Sequence, residues 1–163
     1  MADSGFKAYE KYPGFNEDKT ILYNAGVVTT ASNWFRAVDG NYELAENLSG
    51  ELMEFPITGL RVGDILKNMR VVGSLGAESG YATNLDAFFR TATKAAGAVT
   101  TAQVAAITQV TAQADAEIDS EVSLSNTVVA TDYQYYVQLK GTTANSAACD
   151  LEIIGVEIDI ERA

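Results

Sequence analysis

The sequence predicts an all-β protein, an antiparallel β-sandwich of jelly-roll-like organisation with an extended N-terminal arm and at most one short helix. Three observations predict it. Apolar residues recur with a period of two in segment after segment, which fits half-buried strands and not helices. Turn residues such as Asp39-Gly40-Asn41 and Gly63-Asp64 punctuate these segments at short intervals. Long amphipathic helices that would connect parallel strands are missing from the pattern. The 163 residues suffice for one domain with a proper core, and 47% apolar with 20% charged residues is the composition of a folded chain.

Residues 1–18 lack the period-two pattern but carry Phe6, Tyr9, Tyr12 and Phe15 at intervals of three. Gly5, Pro13 and Gly14 argue against a long helix, which leaves an extended arm whose aromatics dock on a neighbour, or packing within the same chain. "KTILYNAGVVTT", residues 19–30, reads as a hairpin or two short strands around Asn24-Ala25-Gly26. In "GELMEFPITGL" Met53, Phe55 and Ile57 share one side, and Pro56 places the segment at a sheet edge or strand end. A strand pair is expected between Leu60 and Gly80, with Gly63-Asp64 as a turn and Met69, Val71 and Gly73 alternating with Arg70 and Val72. Leu85, Ala87 and Phe89 then face one way, and Asp86, Phe88 and Arg90 the other.

Residues 92–108 are ambiguous. Alanine favours a helix and Thr100 with Gln103 fits a capping box, whereas Gly97 and the Val/Thr content weaken it, so a short helix or an irregular loop is expected. From residue 109 to 119, Val110, Ala112, Ala114, Ala116 and Ile118 alternate with polar residues, predicting a continuous strand with Asp115, Glu117 and Asp119 on its polar side. In "DYQYYVQLKG" Tyr133, Tyr135, Val137 and Leu139 form the apolar face, while Tyr136 shares the polar face with Gln134, Gln138 and Lys140. A large aromatic there marks a candidate contact with another chain. In the last segment Ile154, Val156, Ile158 and Ile160 alternate with Gly155, Glu157, Asp159 and Glu161, but Leu151 and Ile153 are in the opposite phase. That change of phase beside a glycine predicts a β-bulge near Ile153–Gly155.

Chemistry is sparse. The chain has no histidine, so the commonest general base, the commonest metal ligand and every Ser-His or Cys-His pair are absent. One cysteine cannot build a zinc site, and Cys149 reads as a small buried apolar residue. Gly73, Gly76 and Gly80 fit neither phosphate-loop nor dinucleotide spacing. Asp115, Glu117 and Asp119 superficially suggest a calcium loop, but Ser120 and Asn126 stand where an EF-hand needs Gly and Glu, and a solvated acidic face competes with an ion shared between subunits. With 22 acidic residues a glycosidase-like carboxylate pair can be imagined anywhere. The chain is therefore expected to be no enzyme and to carry no cofactor, with no catalytic or metal residues assigned.

A net charge of −11, with scattered basic residues, argues against nucleic acid as partner. No apolar run approaches a membrane span and no secretory core is evident, so a protein made in a reducing cytoplasm, with no membrane partner, is expected.

The segments "GLRVGDILKNMRVVGSLG" (59–76), "ATDYQYYVQLKGTT" (130–143) and "LEIIGVEIDIE" (151–161) resemble the capsid decoration (cement) proteins and head-fibre jelly-roll modules of tailed phages. The resemblance is one of pattern and composition over about residues 50–163 and rests on no invariant motif. It implies a non-enzymatic virion protein, made in the host cytoplasm and placed on the outer capsid surface. It also implies a homo-oligomer, often a trimer, that bridges subunits of the major capsid protein. On this view residues 1–50 are an arm and hairpin region that contacts capsid or neighbour, and residues 51–163 are the sandwich. Phe6, Tyr9, Tyr12, Phe15, Trp34 and Tyr136 are the candidate partner-binding residues. The alternative is a receptor- or glycan-binding fibre module, in which Tyr136, Trp34 and Phe88 would stack on sugars.

Overall fold

The computed structural model describes residues 19–28, 32–95, 97–118 and 120–163. Twelve strands follow in order: β1 (Lys19–Tyr23), β2 (Val27–Val28), β3 (Phe35–Arg36), β4 (Tyr42–Leu44), β5 (Ser49–Ile57), β6 (Ile65–Gly76), β7 (Thr83–Ala95), β8 (Ala98–Ala112), β9 (Ala116–Glu117), β10 (Ser120–Val128), β11 (Tyr133–Thr143) and β12 (Asp150–Glu161). Among the described residues there is no helix. Every pairing is antiparallel, and the strands form two sheets.

In the first sheet β12 is central. One of its edges pairs with β6, and the other with β4 at Leu151–Ile153 and then β1 at Val156–Ile160, so β4 and β1 lie end to end. The far edge of β6 pairs with β10 and, further along, with β9. β3 extends the β4 edge through the turn at residues 38–40. The second sheet runs β2-β5-β11-β7-β8. Nested pairing of β7 with β8, β6 with β9 and β10, β5 with β11 and β4 with β12 describes one long hairpin rolled into two layers. That is the jelly roll, which buries one face of each sheet against the other.

The core follows from the alternation. Met53, Phe55 and Ile57, Leu85, Ala87 and Phe89, and Tyr135, Val137 and Leu139 come from the second sheet. They meet Leu66, Met69, Val71, Leu75, Leu151, Ile153, Val156, Ile158 and Ile160 of the first. Each large side chain so buried stabilises the fold by roughly 1.5–3 kcal/mol. Pro56 sits where β5 has β11 on one side and β2 reaches only Met53 and Glu54 on the other, so its missing N–H costs no ladder bond.

Several expectations need correction. Residues 92–108 are neither helix nor loop: β7 continues to Ala95, turns at Gly97 and returns as β8, so tertiary pairing overrides the helix propensity of alanine. The alternation over residues 109–119 is not one strand, because the chain leaves the second sheet after Ala112, bends at residues 113–114 and enters the first sheet at β9. Gly63-Asp64 does not close a strand pair but carries the chain from β5 in one sheet to β6 in the other. Asn24-Ala25-Gly26 likewise joins strands of different sheets, so β1 and β2 are two short strands and not a hairpin. Within the first fifty residues β1 to β4 are hydrogen-bonded into the two sheets. The arm expected from residues 1–18 lies outside the described residues.

The bulge in β12 falls where the change of phase predicts it: Ile153 pairs with Gly73 and Gly155 with Val72, leaving Ile154 as the extra residue. Ile154 is 42% exposed, so it belongs to the outer surface and not to the face of Val156, Ile158 and Ile160. Both glycines at this crossing are required by space. A Cβ on Gly73 would lie 2.2 Å from the Glu152 carbonyl oxygen, and one on Gly155 would lie 2.4 Å from that of Tyr23.

One end of the sandwich is tied together by Asp64, whose side chain is fully buried. Its carboxylate accepts from the Arg61 amide at 2.9 Å and the Ala163 amide at 3.3 Å, and pairs with the Arg162 guanidinium. Its backbone exchanges hydrogen bonds with the Val129 loop through Gly63 N to Val129 O and Val129 N to Asp64 O. Burial alone would raise the Asp64 carboxyl, but the two amides and the guanidinium outweigh it and hold its pKa below the ordinary carboxylate range. A depressed folded-state pKa contributes stability that is complete above the unfolded value of about 3.9 and disappears as pH falls through the folded value. Asp64→Ala, which leaves Arg162 with the Gly59 carbonyl but no counter-charge, should cost about 3 kcal/mol at neutral pH in urea titrations. The gap to wild type should close as the titrations are repeated below about pH 4, where the wild-type carboxylate takes up its proton.

Candidate interaction face

The inner face of the second sheet is consumed by the core; its outer face is not covered by the described residues. Alternation on β5, β7, β11 and β8 brings Glu54 and Pro56, Phe88 and Arg90, Tyr136 and Gln138, and Gln103 to that side. The register sets Tyr136 between Pro56 on β5 and Arg90 on β7, and Gln138 between Glu54 and Phe88. Gln138 Nε2 donates to Glu54 Oε1 at 3.0 Å, which fixes the amide. The Arg90 guanidinium lies over the Phe88 ring, 5.3 Å from its centroid. Phe88, Arg90 and Tyr136 are all half-buried. Arg90 Nε is shielded from solvent and has no hydrogen-bond partner among the described residues.

At the Tyr136 end the face opens into a groove of about 840 Å³, lined among others by Glu54, Pro56, Asp132, Tyr133, Gln134 and Tyr136. Tyr135 anchors its wall, with its ring stacked 6.1 Å from Phe89 and its hydroxyl oxygen accepting from the Ala130 amide at 3.1 Å. Tyr133 was expected inside the core with Tyr135. It is instead 46% exposed, its ring 6.3 Å from that of Tyr135, because the strand begins there, beyond the cover of the opposite sheet.

Of the six candidate residues, Phe6, Tyr9, Tyr12 and Phe15 lie outside the described residues. Tyr136 stands on the outer face as expected. Trp34 does not: it is 3% exposed, and its indole Nε1 donates to the Glu51 carbonyl at 3.1 Å. The chain before it is clamped by the Glu51 carboxylate, which accepts from Asn33 N at 2.8 Å and Asn33 Nδ2 at 2.9 Å. Those bonds, the backbone one foremost, hold Glu51 below its ordinary range. Trp34 is thus a wedge at the end of the core and offers no ring to a sugar or a partner. Arg90 escaped assignment as a site residue, since only the cross-strand register, which the sequence does not display, puts it beside Tyr136.

The remaining polar groups gather elsewhere. Asp115, Glu117 and Asp150 surround a second cavity, of about 550 Å³, beside Gly76. Burial raises the Asp150 pKa, the Gly76 amide opposes it, and the charges of Glu152 and Asp115 add to it. Asp119 lies outside the described residues, among which no three His, Cys, Asp or Glu side chains are placed to hold a metal ion. Cys149 is fully buried, with Sγ 3.6 Å from the Tyr81 carbonyl oxygen. The outer face of the second sheet thus brings two aromatic rings, a guanidinium and a fixed amide together.

No protein-family model and no curated protein matches the sequence. Among solved structures the chain is similar to a family two carbohydrate esterase from Cellvibrio japonicus, with 7% identity and a TM-score of 0.41 over 88% of this chain. It is also similar to a chain of infectious bursal disease virus Gt strain, with 14% identity and a TM-score of 0.35 over 90%. This chain spans about a third of the length of each, 33% in both cases, and the role of neither protein transfers to it on that basis.

Trp34 is the single tryptophan, so its burial is directly measurable. Native fluorescence should be blue-shifted and resist acrylamide quenching, and Trp34→Ala should destabilise the fold by about 3–5 kcal/mol in denaturant titrations.

Proposed function

We propose that this chain is a non-enzymatic structural protein of a virion, one that decorates the outer surface of a tailed-phage capsid and bridges subunits of the major capsid protein. The observation that carries this reading is the outer face of the second sheet. Phe88, Arg90 and Tyr136 form a rigid patch there of the residue types that dominate protein interfaces, set in a chain that is otherwise strongly acidic. The resemblance of the 59–76, 130–143 and 151–161 segments to decoration proteins supports the same reading. Phe6, Tyr9, Tyr12 and Phe15 would add an aromatic arm to the contact, since a segment that orders on binding can wrap a partner.

A glycan- or receptor-binding role is the second reading, favoured by the groove beside Tyr133 and Tyr136, where aromatic rings meet the polar side chains of Asp132, Gln134 and Glu54. Co-sedimentation with assembled phage heads separates the two. The full chain should bind heads at a fixed stoichiometry. Arg90→Ala with Tyr136→Ala should weaken binding by about tenfold or more while the melting temperature stays close to wild type. Deleting residues 1–16 should abolish binding and leave the sandwich folded. Failure to bind heads, together with glycan binding that Tyr133→Ala removes, would replace the first reading with the second.

A further inference from the structure

The β7–β8 hairpin presents a second surface, independent of the face just described. β8 is fifteen residues long and forms the edge of its sheet. Its ladder runs to β7 on one side, and no described strand pairs with the other. Toward its C-terminal end β8 is protected: register shifts opposite Leu85–Ala87 and Phe89–Arg90 kink it, Gln109 has φ +38°, and Ile107 and Ala112 are buried. From Ala98 to Val104 every residue is exposed, with Val99 at 70% and Val104 at 40%.

Natural edge strands are guarded against pairing by charges, prolines or bulges. "AVTTAQVAAITQVTA" contains no charged residue and no proline, although a fifth of the chain is charged and β7 beside it carries Asp86, Arg90 and Lys94. The free backbone groups of residues 98–104 are therefore a template for another strand. A chain of net charge −11 repels its own copies over most of its surface, and this uncharged strip is where two copies can approach without setting carboxylates against one another. Antiparallel pairing of a strand with its own copy about a two-fold axis is self-complementary and closes after two subunits.

From this we infer that the 98–104 edge of β8 pairs with the same edge of a second copy, joining the two second sheets into one continuous sheet across a two-fold axis at Thr101. The inference goes beyond the capsid reading and does not depend on it.

Sedimentation equilibrium and light scattering of the full chain should show a dimer. Val99→Lys with Val104→Lys, which adds cations to both copies at the seam, should give a monomer with an unchanged melting temperature. Thr101→Cys, close to the axis, should crosslink under mild oxidation, whereas Asn145→Cys should not; the buried Cys149 stays silent in both. A wild-type monomer at all concentrations overturns the inference, as does a trimer or other oligomer that survives the double lysine variant. If the chain is monomeric and the β8 amides are protected from exchange only while residues 1–18 are present, the occupant is the chain's own N-terminal segment, and the two-fold pairing is wrong.

Discussion

In the first sheet β12 must satisfy three neighbours with one apolar face: β6 along its whole length, β4 beside its first half and β1 beside its second. A regular strand cannot place Leu151 and Ile153 on the same side as Val156, Ile158 and Ile160, since the two sets differ by an odd number of residues. The extra residue at Ile154 resolves this by rotating the second half back toward the core. The backbones of β6, β12 and the end of β1 then crowd together, and Gly73 and Gly155 are the residues that let them. Without this bulge either Leu151 and Ile153 or the Val156–Ile160 set would face solvent, and the layer beneath the second sheet would lose its filling. β6 carries a matching irregularity, as Met69 and Leu66 pair with Ile158 and Ile160 across a second register shift.

The rolled hairpin makes most of the ladder non-local. Thr93 pairs with Thr100 near the turn, whereas Lys19 pairs with Ile160 at the other extreme. Closing such loops costs entropy before any core is buried, and the longest local ladder is that of the β7–β8 pair. Its alanine and threonine content and its length suit strand pairing, and they also leave the far side of β8 unguarded once the roll is complete. The pairings most widely separated in sequence, β4 and β1 against β12, meet at the bulge, while Asp64 fastens the end of the sandwich where β12 runs out.

The parts of this structure legible in the sequence are those where side-chain identity reports burial directly. β5, β7 and β11 alternate large apolar with polar residues because both faces have fixed environments, and the bulge in β12 shows as a change of phase. Alternation fails where side chains are small. Between residues 92 and 112 alanine and threonine occupy inner and outer positions alike, and what makes this segment a strand is its partner on β7, not its own pattern. Tyr133 shows a different limit: alternation gives the face of a residue but not where the opposite sheet stops covering it. For Trp34 there was no periodic context, so its fate turned on a carbonyl of β5 and on the space above Gly141, where a Cβ would stand 2.9 Å from the indole ring. The candidate site was legible as Tyr136 and Phe88 but not as Arg90, which reaches Tyr136 through register.

Charge divides the surface in a way that bears on all of these features. The outer side of the first sheet carries its carboxylates in partly compensated groups, Arg70 with Glu121 and Glu157, and Lys67 with Glu161. Such exposed pairs contribute little to stability, and they leave that side acidic and well hydrated. On the outer side of the second sheet Glu54 accepts from Gln138, the Arg90 guanidinium lies over Phe88, Asp86, Lys94 and Lys140 add further charges, and β8 contributes none. The β8 margin is the part of this side that costs least to desolvate, since no ion there must shed water. The two exposed faces thus differ in how charge is arranged: carboxylates paired with cations on the first sheet, and on the second a mixed-charge face bordered by the uncharged β8 margin, a difference the two-layer fold makes possible by giving each sheet a single exposed face.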